Sequence, residues 1–262
     1  MKPIIGLVIS SCDNWHPVWP FVHHSVTKYW TPHRNWPIWF ITNELDPPCG
    51  IPVKTGKDKN WCETSRVALK YIESDIILWL CEDCVLTEEP DWEMLETISE
   101  FIMRGSVDVV RLCGLGLSEP DDKPLDDSLI LLAPESKDKF LLQPSLWRRS
   151  VFLDLLSDLQ IDPWEFEASA TQYGVKYKVA CLADGLWPLK FTSHVMPGWN
   201  AELVERGCWT ETAVKYAKIE GIELNVVPGR PLTEIAARTA NSSCFLEKCT
   251  RGDRWIQQSS II

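Results

Sequence analysis

One apolar run that is soon followed by two acids restricts the possible fold of this chain more than any other segment. The run from Ile76 to Leu80 contains no polar residue except the indole of Trp79, and Glu82 and Asp83 follow it after Cys81. Such a short, continuous run is typical of a strand buried on both faces of a parallel sheet. Open α/β folds bind ligands at the carboxyl edge of such a sheet. The two acids are therefore predicted to lie at a ligand-binding edge.

Strand-like and helix-like patterns alternate around this run. The predicted strands of the first half are 4–10, 37–42, 51–53, 75–80 and 108–113, and the predicted helices are 17–30, 61–73 and 91–104. This β-α-β-α-β succession predicts an α/β fold with a mostly parallel central sheet and helices on both faces.

The second half continues the pattern less regularly. Its predicted strands are 129–132, 140–143 and 176–182, and its predicted helices are 149–159, 164–173 and 210–220. Beyond Pro228 the composition becomes polar. We therefore expect one domain over residues 1–228 and a C-terminal appendage or tail over 229–262.

Net charge argues against one class of partner. The 262 residues include 26 Lys and Arg against 37 Asp and Glu, a formal net charge of −11. Proteins that bind a nucleic-acid backbone depend on clustered Lys and Arg, so the negative charge argues against nucleic acid as a partner. An acidic protein can still hold one pyrophosphate through a metal ion and a few local donors.

The apolar segments are too short for a transmembrane helix. Residues 1–10 lack the charged region and the small-residue cleavage site of a signal peptide, and they are predicted to form the first strand. We expect the chain to remain where it is made, in the cytoplasm.

Ten cysteines are scattered through apolar segments, which favours reduced core residues over a disulfide scaffold. Cys81 and Cys84 have the spacing of a zinc or redox pair. Residues three apart in an extended chain point to opposite faces, and Cys244 and Cys249 have a different spacing. The pair is therefore a weaker explanation of this segment than the acids.

Glu82 and Asp83 have the chemistry of a divalent-cation site. Carboxylate oxygens suit Mg²⁺ or Mn²⁺, and two of them leave coordination positions for substrate phosphates. The alternative is a solvated turn that happens to contain two acids.

The order of these elements resembles the nucleotide-binding half of GT-A-fold glycosyltransferases. The resemblance rests on a strand with a Ser-rich end, the helix containing Ser65 and Arg66, and the strand that ends in acids. It implies a Rossmann-type sandwich that binds a nucleotide-sugar donor. In this family the last strand ends in a DxD motif that binds the donor's divalent cation. Cys81 replaces the first acid, so the resemblance assigns the cation to Asp83, with Glu82 contacting the cation, ribose or sugar.

Two further segments are similar to bacterial and viral sugar transferases of the surface-polysaccharide type. In those proteins a Gln-Pro-x-x-Trp stretch, here Gln143 to Trp147, borders the donor sugar. The Trp-Glu-x-Glu helix start, here residues 164–167, faces the acceptor. The resemblance thus implies a nucleotide-binding half over about 1–115 and an acceptor half over about 116–228.

An inverting transferase needs a carboxylate that accepts the proton of the acceptor hydroxyl. Glu165 and Glu167 are the candidates, and they lie about 200° apart on a helix, so only one is expected to face the cleft. Glu165 is slightly favoured because it lies in the first turn. The alternatives are that both acids only favour the helix N-terminus, or that the enzyme is retaining and neither is a base.

The resemblance also assigns nucleotide contacts near the ends of the first two strands and on a helix. These residues are Ser10, Ser11, Asp13, Asn43 and Arg66. A surface salt bridge is the competing explanation for Arg66. His194 is a candidate for a further metal or pyrophosphate contact from the C-terminal region.

The leading hypothesis is therefore a nucleotide-sugar glycosyltransferase that uses Mn²⁺ or Mg²⁺. A metal-dependent nucleotidyltransferase or phosphotransferase is the first alternative, although the chain has no GxxxxGK[ST] phosphate loop. A non-catalytic binding protein derived from a transferase is the second. A surface glycan, a protein side chain and a modified DNA base are all conceivable acceptors, the last disfavoured by the negative charge. The sequence predicts no oligomeric state.

Overall fold

The computed structural model describes residues 5–30, 36–57, 60–112, 121–136, 139–157, 159–183, 185–192, 203–205 and 208–224. The helices in these ranges are α1 (Trp19–Tyr29), α2 (Trp61–Tyr71), α3 (Trp92–Met103), α4 (Arg149–Leu155), α5 (Pro163–Tyr173) and α6 (Glu211–Glu220). The strands are β1 (Ile5–Ser10), β2 (Ile38–Thr42), β3 (Ile51–Lys54), β4 (Ile76–Cys81), β5 (Val109–Arg111), β6 (Lys123–Pro124), β7 (Leu129–Leu131), β8 (Ser145–Arg148), β9 (Val179–Leu182), β10 (Val204–Glu205) and β11 (Cys208–Trp209).

Nine of these strands form one sheet in the order β3-β2-β1-β4-β8-β5-β9-β7-β6. β1 pairs in parallel with both β2 and β4, and β5 pairs in parallel with β9. Only β7 and β8 run against the other strands of this sheet, and β10 and β11 form a separate antiparallel pair. The predicted α/β fold with a mostly parallel sheet is confirmed.

The predicted strand over 140–143 is wrong. The strand lies at Ser145–Arg148 instead, inserted antiparallel between β4 and β5. The amide of Leu142 donates to the carboxylate of Glu167 rather than to a neighbouring strand. Two predicted helices are also shorter than expected, because a 3₁₀ helix at Asp13–Val18 precedes α1 and α4 ends at Leu155.

Four helices begin at a side chain that caps free backbone amides. Asn60, Asp91, Asp162 and Thr210 each accept a hydrogen bond from the backbone N–H three residues later. Such caps satisfy donors that have no partner within the helix and stabilise it by about 1 kcal/mol each. They explain why these four helices begin within two residues of their predicted starts.

Alternate residues of the central strands face two separate apolar layers. Leu78 belongs to the layer that contains residues of α1, α3 and α6. Trp79, the next residue, belongs to the layer that contains residues of α2, α4 and α5. Both side chains have no exposed surface. Helices therefore cover both faces of the sheet, as predicted.

The sheet combines strands from both predicted halves of the chain, since β8 separates β4 from β5. The predicted boundary at 115–116 and the predicted appendage over 229–262 lie outside the described residues. Among the described helices, none has the length and apolar composition that crossing a bilayer requires.

Candidate functional site

The carboxyl ends of β1, β2 and β4 meet at one edge of the sheet. β1 lies between the other two strands, so the chain leaves β1 toward β2 on one side and reaches β4 on the other. Such a reversal of strand order opens a crevice at the carboxyl edge, where open α/β folds bind their ligands.

Asp13 joins the ends of β1 and β2. Its carboxylate accepts hydrogen bonds from the backbone amides of Asn43, Glu44 and Leu45 at 2.9, 2.9 and 3.1 Å. The amide of Asp13 donates in return to Asn43 Oδ1 at 2.9 Å. The two predicted nucleotide contacts thus bind each other, and they give the loop after β2 a defined position.

The two predicted serine contacts end the neighbouring strand β1. The backbone oxygen of Ser10 accepts from the amide of Glu82 at 3.2 Å, which connects β1 to the acidic turn. Ser11 Oγ accepts from Trp19 Nε1 at 2.9 Å and donates to the carbonyl of Cys12 at 3.4 Å. Both serines are almost completely buried, so they lie beneath the surface at this edge of the sheet.

Glu82 and Asp83 occupy the two corners of a tight turn at the end of β4. The turn is closed by a hydrogen bond from the amide of Cys84 to the carbonyl of Cys81 at 3.0 Å. Partial burial raises the pKa of the Glu82 carboxyl well above its usual range, and the charge of Asp83 raises it further. The turn therefore places two mutually repelling acids side by side at the edge of the sheet.

Thr192, which the sequence analysis did not single out, stabilises this turn from the other side. Its hydroxyl donates to the carbonyl of Asp83 at 2.8 Å and accepts from the amide of Val85 at 3.1 Å. Its backbone amide donates to the carbonyl of Val85 at 2.8 Å. Nothing in the sequence around Thr192 indicates this role, because the residue is an ordinary threonine between two apolar segments. His194 lies outside the described residues.

Cys81 and Cys84 pack on opposite sides of the sheet. Cys81 lies against the layer that contains Trp79, and its Sγ donates to the carbonyl of Leu142 at 3.7 Å. Cys84 lies against the layer that contains Leu78. The described residues contain no group of three or more His, Cys, Asp or Glu that could hold a metal ion. They therefore offer Glu82 and Asp83 as two oxygen donors and no complete protein cage.

Gln143 lies beside the acidic turn, because the preceding residue, Leu142, accepts the bond from Cys81. Its backbone carbonyl accepts from Ser145 Oγ at 2.8 Å, and its side chain is half-buried. Trp147, which the resemblance places at the donor sugar, is instead fully buried.

The ring of Trp147 lies 4.2 Å from the ring of Phe152 and 5.9 Å from that of Phe140, nearly parallel to both. It has no surface left for contact with a sugar, because the insertion of β8 into the sheet turns it into the core. The role assigned to Trp147 by the resemblance is therefore replaced by a packing role.

The two acids of α5 have different surroundings. Glu165 forms a capping box with Asp162, whose side chain accepts from the Glu165 amide at 2.8 Å and whose amide donates to Glu165 Oε2 at 3.2 Å. Burial raises the pKa of the Cys62 thiol on α2, and the charges of Asp162 and Glu165 raise it further. The charge of Glu165 therefore acts on Cys62 of α2, while its side chain is exposed.

Glu167 lies on the side of α5 that faces the sheet edge. Its Oε1 accepts from the amide of Leu142 at 2.7 Å, and the carbonyl of Leu142 accepts from Cys81 Sγ. Two hydrogen bonds thus connect Glu167 to the residue directly before Glu82. The two acids thus have different hydrogen-bond partners, and Glu167 is the one connected through Leu142 to the residue before the turn.

Arg66 and Arg111 lie at two different places in the fold. Arg66, a predicted nucleotide contact, donates from its guanidinium to the carbonyl of Ser157 and so connects α2 to the end of α4. Arg111 was not predicted, although a charge within the apolar segment Val109–Leu112 was a visible signal. It is 2% exposed at the carboxyl end of β5, in register with Ser145 and Cys181. A buried positive charge therefore lies two strands away from β4.

Comparison with known proteins gives similarity of fold only. No protein-family model and no curated protein matches the chain. A crystal structure of S. aureus TarS residues 1–349 aligns with 70% of the chain and 59% of its own length, at 14% identity and a TM-score of 0.45. A cytidylyltransferase from Leptospira borgpetersenii aligns with 93% of the chain and 96% of its own length, at 11% identity and a TM-score of 0.46. No residue acquires a role from matches this distant.

Proposed function

We propose that the chain is a glycosyltransferase that binds a nucleotide-sugar in the crevice at the carboxyl ends of β1, β2 and β4. One observation carries the proposal: Glu82 and Asp83 form a pair of acids at the point where the strand order reverses. Partial burial and the charge of the neighbouring Asp83 raise the pKa of the Glu82 carboxyl. Two carboxylates held together in this way gain most from a cation, which offsets their repulsion.

Glu82 and Asp83 would hold a divalent cation such as Mg²⁺ or Mn²⁺, since both supply hard oxygen donors. Two protein ligands leave coordination positions of the cation for phosphate oxygens. Such a cation would bind together with the nucleotide-sugar. When bound, such a cation neutralises the charge that develops on the departing nucleoside diphosphate.

Asn43 supports a nucleoside site at the ends of β1 and β2. Its Oδ1 is occupied by the amide of Asp13. Its Nδ2 is buried and has no hydrogen-bond acceptor among the described residues. A buried donor without an acceptor costs about 1–3 kcal/mol, which an acceptor on a bound base or ribose would remove. Asp13, Ser10 and Ser11 would then position the base and ribose.

The acceptor would approach from the N-terminal end of α5. We assign the proton-accepting role to Glu167, because hydrogen bonds through Leu142 connect it to Cys81, the residue before the acidic turn. Its bond from the amide of Leu142 holds the carboxylate in one orientation, which general-base catalysis requires. We assign Glu165 to the capping box, where it fixes the first turn of the helix.

Nucleotide binding and donor hydrolysis test the proposal. UDP-, GDP- and TDP-sugars are incubated with the protein with and without Mn²⁺, and binding is followed by calorimetry. Asp83→Asn and Glu82→Gln are expected to reduce metal-dependent turnover by about 10²-fold or more, as removal of one transition-state contact does elsewhere. Glu88→Gln, an exposed acid five residues after Asp83, is the matched control.

Absence of both turnover and nucleotide binding in the wild type would refute a transferase. Release of pyrophosphate from a nucleoside triphosphate and a sugar phosphate, with no hydrolysis of nucleotide-sugars, would instead identify a nucleotidyltransferase. Full activity in both acid variants would refute Glu82 and Asp83 as the site. It would leave open a transferase whose active site lies elsewhere in the chain.

A further inference from the structure

The chain that follows the acidic turn is held by a segment from much later in the sequence. Residues 188–192 pair antiparallel with it: the amide of Thr87 donates to the carbonyl of Lys190 at 2.8 Å, and Leu86 is bridged to Phe191. The side chains of Leu86 and Phe191 are both buried. The two segments therefore form a buried junction directly after the turn.

Thr192 is the residue at which this junction reaches the acids. Its hydroxyl donates to the carbonyl of Asp83 at 2.8 Å and accepts from the amide of Val85 at 3.1 Å. The side chain is 1% exposed, and hydrogen bonds that are withdrawn from water in this way are stronger than exposed ones. One hydroxyl thus fixes the two peptide groups on either side of Cys84.

The turn is fixed on its other side as well. The amide of Glu82 donates to the carbonyl of Ser10, the last residue of β1, at 3.2 Å. The backbone that carries the two acids is therefore held at both ends, by β1 before Glu82 and by Thr192 after Asp83.

This double attachment opposes the repulsion between the two acids. The charge of Asp83 contributes to the raised pKa of the Glu82 carboxyl, and the same repulsion favours any change of the turn that separates the two groups. Hydrogen bonds that fix the backbone resist such a change. Oxygen donors that are already in place need less rearrangement when a cation binds, so the cation is bound more tightly.

We propose that Thr192 is a positioning residue for the cation that the proposed function requires. Its hydroxyl fixes the peptide group after Asp83, and thereby the position of the Asp83 carboxylate relative to Glu82. Loss of a group that holds a metal ligand in place typically lowers metal affinity about 10–100-fold. The inference rests on the proposed function and adds to it a residue that does not itself touch the cation.

A purely structural role for Thr192 makes a different prediction, and Tyr216 supplies the comparison. The hydroxyl of Tyr216, a buried residue of α6, donates to the carbonyl of Leu86 at 3.4 Å. Tyr216→Phe therefore removes a hydrogen bond from the same segment, three residues after Asp83, without changing the bonds around Cys84. If hydrogen bonds in this segment matter only for stability, variants of the two residues should behave alike.

Mn²⁺ binding measures the effect without any assay of turnover. Free Mn²⁺ is followed by electron paramagnetic resonance as the ion is titrated into the wild type and each variant. We expect Thr192→Val, which keeps the shape of the side chain and loses the hydroxyl, to raise the Mn²⁺ Kd about 10-fold or more. Thr192→Ser and Tyr216→Phe should keep a Kd close to that of the wild type. Wild-type affinity in Thr192→Val would overturn the proposal, and so would an equal loss in Tyr216→Phe.

A second measurement uses the wild type alone, so it does not depend on how well Thr192→Val folds. The amide of Val85, which donates to Thr192, should be protected from hydrogen exchange before any cation is added. An amide that exchanges as fast as in an unfolded peptide, and slows only when Mg²⁺ is added, would mean that the cation orders the turn. That result would also overturn the proposal.

Donor hydrolysis gives the third readout. Thr192→Val should need more Mn²⁺ for half-maximal rate, and saturating Mn²⁺ should restore most of the kcat, because mass action compensates for a weaker site. A low kcat at saturating Mn²⁺ with unchanged half-saturation would contradict a positioning role. A wild type that binds no Mn²⁺ and hydrolyses no donor would instead refute the proposed function, so the two failures are distinguishable.

Discussion

Asp13 and Asn43 hold each other by reciprocal hydrogen bonds: the amide of each donates to the side-chain oxygen of the other at 2.9 Å. The residues are thirty positions apart and belong to the ends of neighbouring strands. Because the Asp13 carboxylate accepts three backbone amides, the loop after β2 depends on this one side chain.

Asp13→Ala is therefore expected to lower the free energy of unfolding by about 1–3 kcal/mol, since three amides lose their acceptor. It should also weaken nucleotide binding. Urea denaturation and calorimetry measure the two effects. Glu44→Gln changes an exposed acid in the same loop and should leave both unchanged. Equal unfolding midpoints for Asp13→Ala and the wild type would show that water satisfies the three amides as well as the carboxylate does.

Glu167 and Glu165 are expected to differ when each is changed to glutamine. A glutamine at 167 can still accept from the amide of Leu142 but cannot take up a proton. Glu167→Gln should therefore reduce transfer by about 10²–10⁴-fold with little change in stability. Glu165→Gln weakens only the capping box, at a cost of about 1 kcal/mol or less, and should reduce transfer far less. Equal losses in the two variants would contradict the assignment of the base to Glu167.

Lys139 is a buried lysine that forms no salt bridge among the described residues, although the charge of Asp108 acts to raise its pKa. Its Nζ donates to the carbonyls of Pro134, Gly174 and Val175 at 3.2–3.3 Å, two of them at the C-terminal end of α5. Lys139→Met removes a charge from the interior but leaves these carbonyls without a donor. We expect a net loss of about 1–3 kcal/mol at neutral pH, measured by urea denaturation.

The pH dependence of this loss provides its control. Burial lowers the pKa of Lys139 below its value in the unfolded chain. Between the two pKa values the unfolded chain binds more protons, so raising the pH stabilises the native wild type relative to Lys139→Met. The difference between the two proteins should grow as the pH rises toward 10.5, the usual pKa of lysine. A constant difference would mean that Lys139 titrates as it does in water.

Gly174 is packed against the ring of Phe140. A Cβ added there would lie 2.3 and 2.5 Å from two ring carbons, and the ring is fully buried beside Trp147. Gly174→Ala is therefore expected to destabilise the protein by about 1–3 kcal/mol, measured as a fall in the unfolding midpoint. The double variant with Phe140→Leu should be less destabilised than the sum of the single changes, because the smaller side chain makes room. Strict additivity would indicate that the ring is not the obstacle.

Several features were predictable because their causes are local. The strand ending before Glu82 is a continuous apolar run, and α5 begins at Asp162, Pro163 and Glu165, which form a helix start in most contexts. Alternation of strands and helices then predicted a sheet covered on both faces. The acids at the end of β4 were located for the same reason, since a strand's end follows from its own sequence.

Other features required pairings between distant residues. Trp147 is buried because β8 inserts between β4 and β5 and places Trp147 opposite Ile77. Thr192 supports the acidic turn across more than a hundred residues of chain. Glu167 is connected to the turn through Leu142, which is not in a strand.

The sequence by itself therefore determined most strands of the sheet, the helices of the described residues and the edge at which the acids lie. These follow from side-chain periodicity and capping, which act over a few residues. The tertiary structure alone decided which side chains face that edge, because strand order and packing depend on contacts between segments far apart in the chain. For this reason Glu82, Asp83 and Glu167 lie along one connected path, whereas Trp147 belongs to the core.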